Sequence, residues 1–117
     1  MNIKFDRTLE YLLDLDGVRY VVDDIRGWWV KFEVKKITLS VGRPYGIKYA
    51  LSLHDRMNQR MMGFDNAHAI DGHDQYDHWH VDGLGLVKPY FYKNAAKLLE
   101  DFWGAVDRKI KEISNET

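Results

Sequence analysis

The chemistry-bearing residues of this sequence concentrate in one stretch, Gly63-Phe64-Asp65-Asn66-Ala67-His68-Ala69-Ile70, running on to Asp77-His78-Trp79-His80. Four of the five histidines fall within the window from Asp65 to Asp82, as do five aspartates: Asp65, Asp71, Asp74, Asp77 and Asp82. Imidazole changes charge near neutral pH, and imidazole with carboxylate is also a common metal-ligand set. His78 and His80 stand at i, i+2, so on a strand they share one face while Trp79 points away. His68, and His54 from a neighbouring strand, can join them. Two imidazoles, or one imidazole with Asp65 or Asp77, can divide acid and base roles. Cleavage of RNA needs such a pair, one group to take the 2′-hydroxyl proton and one to protonate the leaving oxygen. Arg43 or Lys48 would then stabilise charge on the phosphate.

Two other readings use the same residues. A His-x-His pair with His68 or His54 and a carboxylate suits zinc, iron, nickel or manganese, although no His-Glu-x-x-His motif is present. The blander reading is that histidines cap turns and that Asp65-Asn66 anchors one, with Asn66 bonding to backbone. A structural role is the commoner fate of any single histidine. The density of four in one window is what favours function.

The elements that must position these residues follow from periodicity. Trp28, Val30, Phe32 and Val34 alternate with Trp29, Lys31, Glu33 and Lys35, which predicts a strand over Trp28 to Thr38 with one buried face. Ile47, Tyr49, Leu51 and Leu53 form a second inward set against Lys48, Ala50, Ser52 and His54. A polar turn at Asp55 to Gln59 leads to an antiparallel strand over Arg60 to Asn66. Asp77 to Val81 reads as a short strand, and Val87 to Tyr92, with Pro89, as an edge or extended segment. Near the start, Asp16-Gly17 between Leu15 and Val18-Arg19-Tyr20-Val21-Val22 predicts a β-hairpin, in preference to a short helix over Thr8 to Leu15. The stretches Leu39 to Tyr45 and Ala69 to Tyr76 read as loops. At the end, Asn94 is a good N-cap before a helix whose stripe is Ala95, Leu98, Leu99, Phe102, Val106, Ile110 and Ile113. Gly104 within it suggests close approach to a strand. The expected fold is therefore α+β, an antiparallel meander sheet of about five to six strands packed against one C-terminal helix, in a single domain over residues 1–117.

Composition narrows the function classes. The chain has 117 residues, 45% hydrophobic and 30% charged, as expected of one globular domain rather than a disordered chain. No apolar run is long enough to span a membrane and no leader pattern opens the chain, so the expected compartment is the cytoplasm. With no cysteine, disulfides and thiolate zinc sites are excluded. A formal net charge of −1 does not suggest nucleic acid binding by the whole surface. Bases do precede the histidine window, at Arg26, Lys31, Lys35, Lys36, Arg43 and Lys48.

The succession of motifs resembles the TumE family of toxins from toxin–antitoxin pairs. The residues that carry the resemblance are Gly27-Trp28-Trp29-Val30-Lys31-Phe32, Arg43-Pro44-Tyr45-Gly46-Ile47-Lys48-Tyr49, Leu51-Ser52-Leu53-His54-Asp55, Gly63 to His68, Asp77-His78-Trp79-His80 and Leu98-Leu99-Glu100-Asp101-Phe102-Trp103. The Asp-Asn-Ala-His element followed by His-x-His is the most specific of these. The resemblance implies a toxin-like protein with a co-encoded antitoxin, expected to be a small helix-turn-helix protein.

Together these readings give a metal-independent endoribonuclease without a cofactor. His68, His78 and His80 are its acid–base candidates, with Asp65 orienting, His54 in the second rank, and Arg43 and Lys48 on the substrate phosphate. RNA and the antitoxin are the expected partners, with homodimerisation a further expectation. The acidic loop of Asp71, His73 and Asp74 favours a competing class, a non-catalytic protein that binds and regulates a host complex. The geometric expectation is a shallow cleft on the sheet face away from the C-terminal helix, or at the edge of that face. There His78 and His80 should meet at least one of His54, Asp65 and His68, while Leu99, Phe102 and Val106 cover the opposite face.

Overall fold

The structure is a computed structural model, and it describes residues 7–39, 45–66 and 77–116. A helix, α1 (Arg7–Asp14), comes first. Strands β1 (Arg19–Asp23), β2 (Trp28–Lys36), β3 (Ile47–His54), β4 (Arg60–Asp65), β5 (His78–His80) and β6 (Val87–Pro89) follow, and α2 (Ala95–Glu116) ends the chain. The six strands form one sheet in sequence order, every neighbouring pair antiparallel. This is the expected α+β meander against a C-terminal helix, with α1 added.

The two long central strands follow from alternation. On β2 and β3 every second residue is buried, and the register sets Val30 opposite Leu53, Phe32 opposite Leu51 and Val34 opposite Tyr49. All six side chains therefore project from one face. Met62 and Phe64 of β4 extend that face, and Leu98, Leu99, Phe102, Ala105 and Val106 of α2 cover it. Phe102 is fully buried and meets Phe32 edge-on at 5.5 Å. Asn94 caps α2 as expected, its Oδ1 accepting the Lys97 amide at 2.8 Å. Among the described residues the other face of the sheet carries no helix, and no helix is long and apolar enough to cross a membrane.

Two expectations are corrected. The predicted N-terminal hairpin is instead the helix α1, which packs against α2 and β2. Leu12, the residue that breaks strand alternation, decides the outcome: it is fully buried, with Leu9 and Leu13 beside it at helical spacing. Asp16-Gly17 does form a turn, and Gly17 takes a φ of 82°, but the turn joins a helix to a strand. Asp16 then accepts the Val34 amide and pairs with Lys35, fixing the turn to β2. Gly104 does not allow close approach to a strand, since a Cβ there would meet only the Arg108 side chain at 3.5 Å.

Candidate active site

The uncovered face of the sheet is built from the residues that alternate with the core. Reading across the strands, one row runs Glu33, Ala50, Asp65, His78 and Pro89, and the next runs Lys31, Ser52, Gly63, His80 and Val87. Asp65 and His78 are therefore cross-strand partners, and His80 lies one pleat along on the same face.

The contacts follow from that register. His78 Nε2 lies 2.9 Å from Asp65 Oδ1, and His80 Nε2 lies 2.8 Å from Asp65 Oδ2. One carboxylate thus holds two imidazoles, one on each oxygen, and their rings meet nearly edge-on at 4.8 Å. The two histidines differ in reach. His78 is 1% exposed, whereas the His80 side chain retains 14% of its surface. Because an ionised carboxylate only accepts, Nε2 of His80 must carry the proton, which leaves Nδ1 as the lone-pair nitrogen. Among the described residues that Nδ1 has no hydrogen-bond partner. Burial, reinforced by the Arg60 charge, lowers the His80 pKa from its usual value, against the opposing pull of Asp65. His80 is therefore a neutral imidazole at pH 7, oriented by a carboxylate and open on its far nitrogen, as a general base requires.

Arg60 completes the group, with its guanidinium 4.0 Å from Asp65 Oδ2. It was not among the sequence candidates, for a physical reason. Residues 60 and 65 are separated by an odd number, so on a regular strand they would face opposite ways. A bulge intervenes: Leu53 opposes Met62 while His54 opposes Arg60, leaving Met61 as the extra residue. The bulge restores Arg60 to the open face. Gly63 provides its path, because a Cβ there would lie 3.5 Å from Arg60 Cδ and 3.1 Å from the Leu51 carbonyl oxygen.

The other sequence candidates separate. His54 is on the same open face but belongs to a different assembly, stacked on Trp29 with centroids 4.4 Å apart and bonded to Ser52 Oγ at 2.8 Å. The Arg19 guanidinium lies 5.4 Å from the Trp29 ring. Burial lowers the His54 pKa against a nearby Asn58 backbone group. Nδ1 of His54 is buried and, among the described residues, makes no hydrogen bond of good geometry. Lys48 is exposed at the far end of β3, beside a groove toward β1 and β2. His68 and Arg43 lie outside the described residues, as do His73 and the loop aspartates Asp71 and Asp74.

Asp77 and Asn66 are structural. Asp77 faces the core side and accepts the Tyr49 hydroxyl at 2.6 Å, and the Asp77 carbonyl accepts the Tyr90 amide. Asn66 bonds backbone, as its anchor reading expects: Oδ1 accepts the Tyr49 amide at 2.8 Å and Nδ2 donates to the Ile47 carbonyl at 2.9 Å.

Fold and site thus define a small α+β domain with a carboxylate-bridged histidine pair on its uncovered sheet face. The family described as Toxin TumE matches residues 16–110, which span all six strands and most of α2, and the chain belongs to that family. No curated protein and no solved structure shows significant similarity to it.

Proposed function

We propose that this TumE-family toxin is a metal-independent endoribonuclease in which His80 is the general base. The observation that carries the reading is the Asp65 carboxylate bonded at 2.8 Å to Nε2 of the partly exposed His80. Nδ1 of His80 takes the proton from a ribose 2′-hydroxyl. The 2′-oxygen attacks the adjacent phosphorus, the P–O5′ bond breaks, and a 2′,3′-cyclic phosphate forms. Arg60 stabilises the negative charge on the non-bridging oxygens. Asp65 orients His80, and the buried His78 holds the second oxygen of Asp65, so His78 acts as a positioning residue. The proton for the leaving 5′-oxygen is assigned to His68. The antitoxin expected of such a family would neutralise the protein by covering this face.

A second reading rests on one observation: the ligand atoms of Asp65, His78 and His80 lie within 4.8 Å of one another, the donor set of a divalent-ion site. The distances favour proton sharing. Ligand atoms around a tetrahedral ion with bonds of about 2.1 Å stand about 3.4 Å apart. The carboxylate–imidazole separations of 2.8 and 2.9 Å are hydrogen-bond lengths instead.

The test is cleavage of total cellular RNA by the purified protein between pH 5 and 8, with and without EDTA. Cleavage resistant to EDTA and lost in His80→Ala is expected. Loss on EDTA treatment with rescue by zinc or manganese would move the assignment to the metal. Intact RNA from a protein that still arrests growth would end the nuclease reading. A folded His78→Ala/His80→Ala double variant with full activity in cells would favour the binding-protein class.

A further inference from the structure

The uncovered face holds a second feature beside the histidine pair. Between β1, β2 and β3 runs a half-open groove of about 510 Å³, walled by Arg19, Lys31, Lys35 and Lys48 and by the acids Asp16 and Glu33. Four cations against two carboxylates is a local positive excess in a chain whose formal net charge is −1. The groove floor is kept low by Ala50, whose cross-strand partner is Asp65, so groove and histidine pair adjoin on one surface.

The geometry points to this groove as the docking track for the sugar–phosphate backbone of single-stranded RNA, leading to His80. The inference rests on the nuclease reading for its direction and on charge and register for its place. Lys48 on β3 stands two strand spacings, about 10 Å, across from β5 and four residues, about 13 Å, along from the Ser52–Gly63–His80 row, so roughly 16 Å separates it from His80, a span of a few nucleotides of backbone. Two of the cations are already paired, Lys31 with Glu33 and Lys35 with Asp16. Such exposed pairs are worth only about 0–1 kcal/mol, so a phosphate can replace the carboxylate partner at little cost. Lys48 has no ion pair among the described residues, and Arg19 lies against the Trp29 ring, an arrangement that leaves its donors for phosphate. Contacts made to phosphates alone carry no sequence information, so the track should be indifferent to sequence.

The experiment measures binding separately from cleavage. Full-length protein is titrated with a short, fluorescently labelled 2′-O-methyl single-stranded RNA, which cannot be cleaved through its 2′-oxygen, at several salt concentrations. The wild type should bind, with affinity falling as salt rises. Arg19→Ala/Lys48→Ala should weaken binding about tenfold and flatten the log–log salt slope by about 1.4, at about 0.7 for each phosphate contact on a single strand. Both positions are exposed, so the far-UV circular dichroism and melting temperature should match wild type. Lys111→Ala, at an exposed cation of α2 outside the groove, should bind as wild type does. Unchanged affinity and slope in the groove variant, or equal binding of polyglutamate, would overturn the proposal. Groove-dependent binding without any cleavage of natural RNA would overturn the nuclease reading and leave the track standing.

Discussion

Asp65 and Asp77 are both buried carboxylates at the same end of the same sheet, yet they do opposite work. Asp65 stands on the uncovered face and holds two imidazoles beside a guanidinium. Asp77 stands on the helix-covered face and accepts from the Tyr49 hydroxyl. The Tyr49 hydroxyl hardly ionises, because burial and the neighbouring Asp77 charge push its pKa far upward. A carboxylate bonded to imidazoles can orient them for proton transfer. A carboxylate facing a phenol that stays neutral can only fasten chain to chain. The pleat makes the distinction, since Asp77 and His78 are consecutive and so point to opposite faces.

The largest separation between the two should come from the carboxylates themselves. Asp65→Asn should reduce RNA cleavage by about 10²–10⁴, the range expected when general-base catalysis is disabled. Gel-resolved cleavage rates on a defined RNA would measure it, and a loss under tenfold would deny Asp65 its role. On the other face, Tyr49→Phe leaves Asp77 buried without its hydroxyl and should cost about 1–3 kcal/mol in urea unfolding, with cleavage per folded molecule unchanged. Asn66→Ala should cost a similar amount, since it orphans the Tyr49 amide and the Ile47 carbonyl.

A smaller effect comes from pH. His54 and His80 both have folded pKa values lowered by burial. Protonation is therefore disfavoured in the folded state relative to the unfolded chain. The stability that follows is fully present above the unfolded value of about 6.5 and is lost as pH falls through the lower folded values. Thermal melts should show a decline below pH 6.5 that His80→Gln and His54→Gln each diminish. The acid limb of the cleavage rate should likewise have its midpoint below about 6.5, and a midpoint at 7 or above would contradict a lowered His80. Tyr49 and Tyr90 have raised values, so their contribution is present below about 10 and lost as pH climbs further; Tyr49→Phe should blunt the alkaline decline.

Much of this arrangement was legible from residue order. The alternation of Trp28 to Val34 and of Ile47 to Leu53, the capped helix from Ala95, and the shared face of His78 and His80 all follow from side-chain period. Three things did not. Leu12 fits a helix stripe and disturbs a strand by one residue, a difference too small to outweigh an Asp-Gly turn signal. The sorting of Asp65 from Asp77 needs the pairing register, and a slip of one residue exchanges their faces. Arg60 needs the bulge, which leaves no mark in composition or spacing.

The bulge at Met61 makes Arg60 depend on parity. Counted along the chain, Arg60 and Asp65 have unlike parity; counted along the ladder, where Met61 adds no rung, they have like parity. A deletion of Met61 would keep the guanidinium above the sheet and only straighten its approach. One alanine inserted after Met61, if the ladder absorbs it as a rung, would carry the guanidinium beneath the sheet without altering any residue of the site. A change in length by a single residue, silent in chemistry, would then disarm the site as thoroughly as removing the charge.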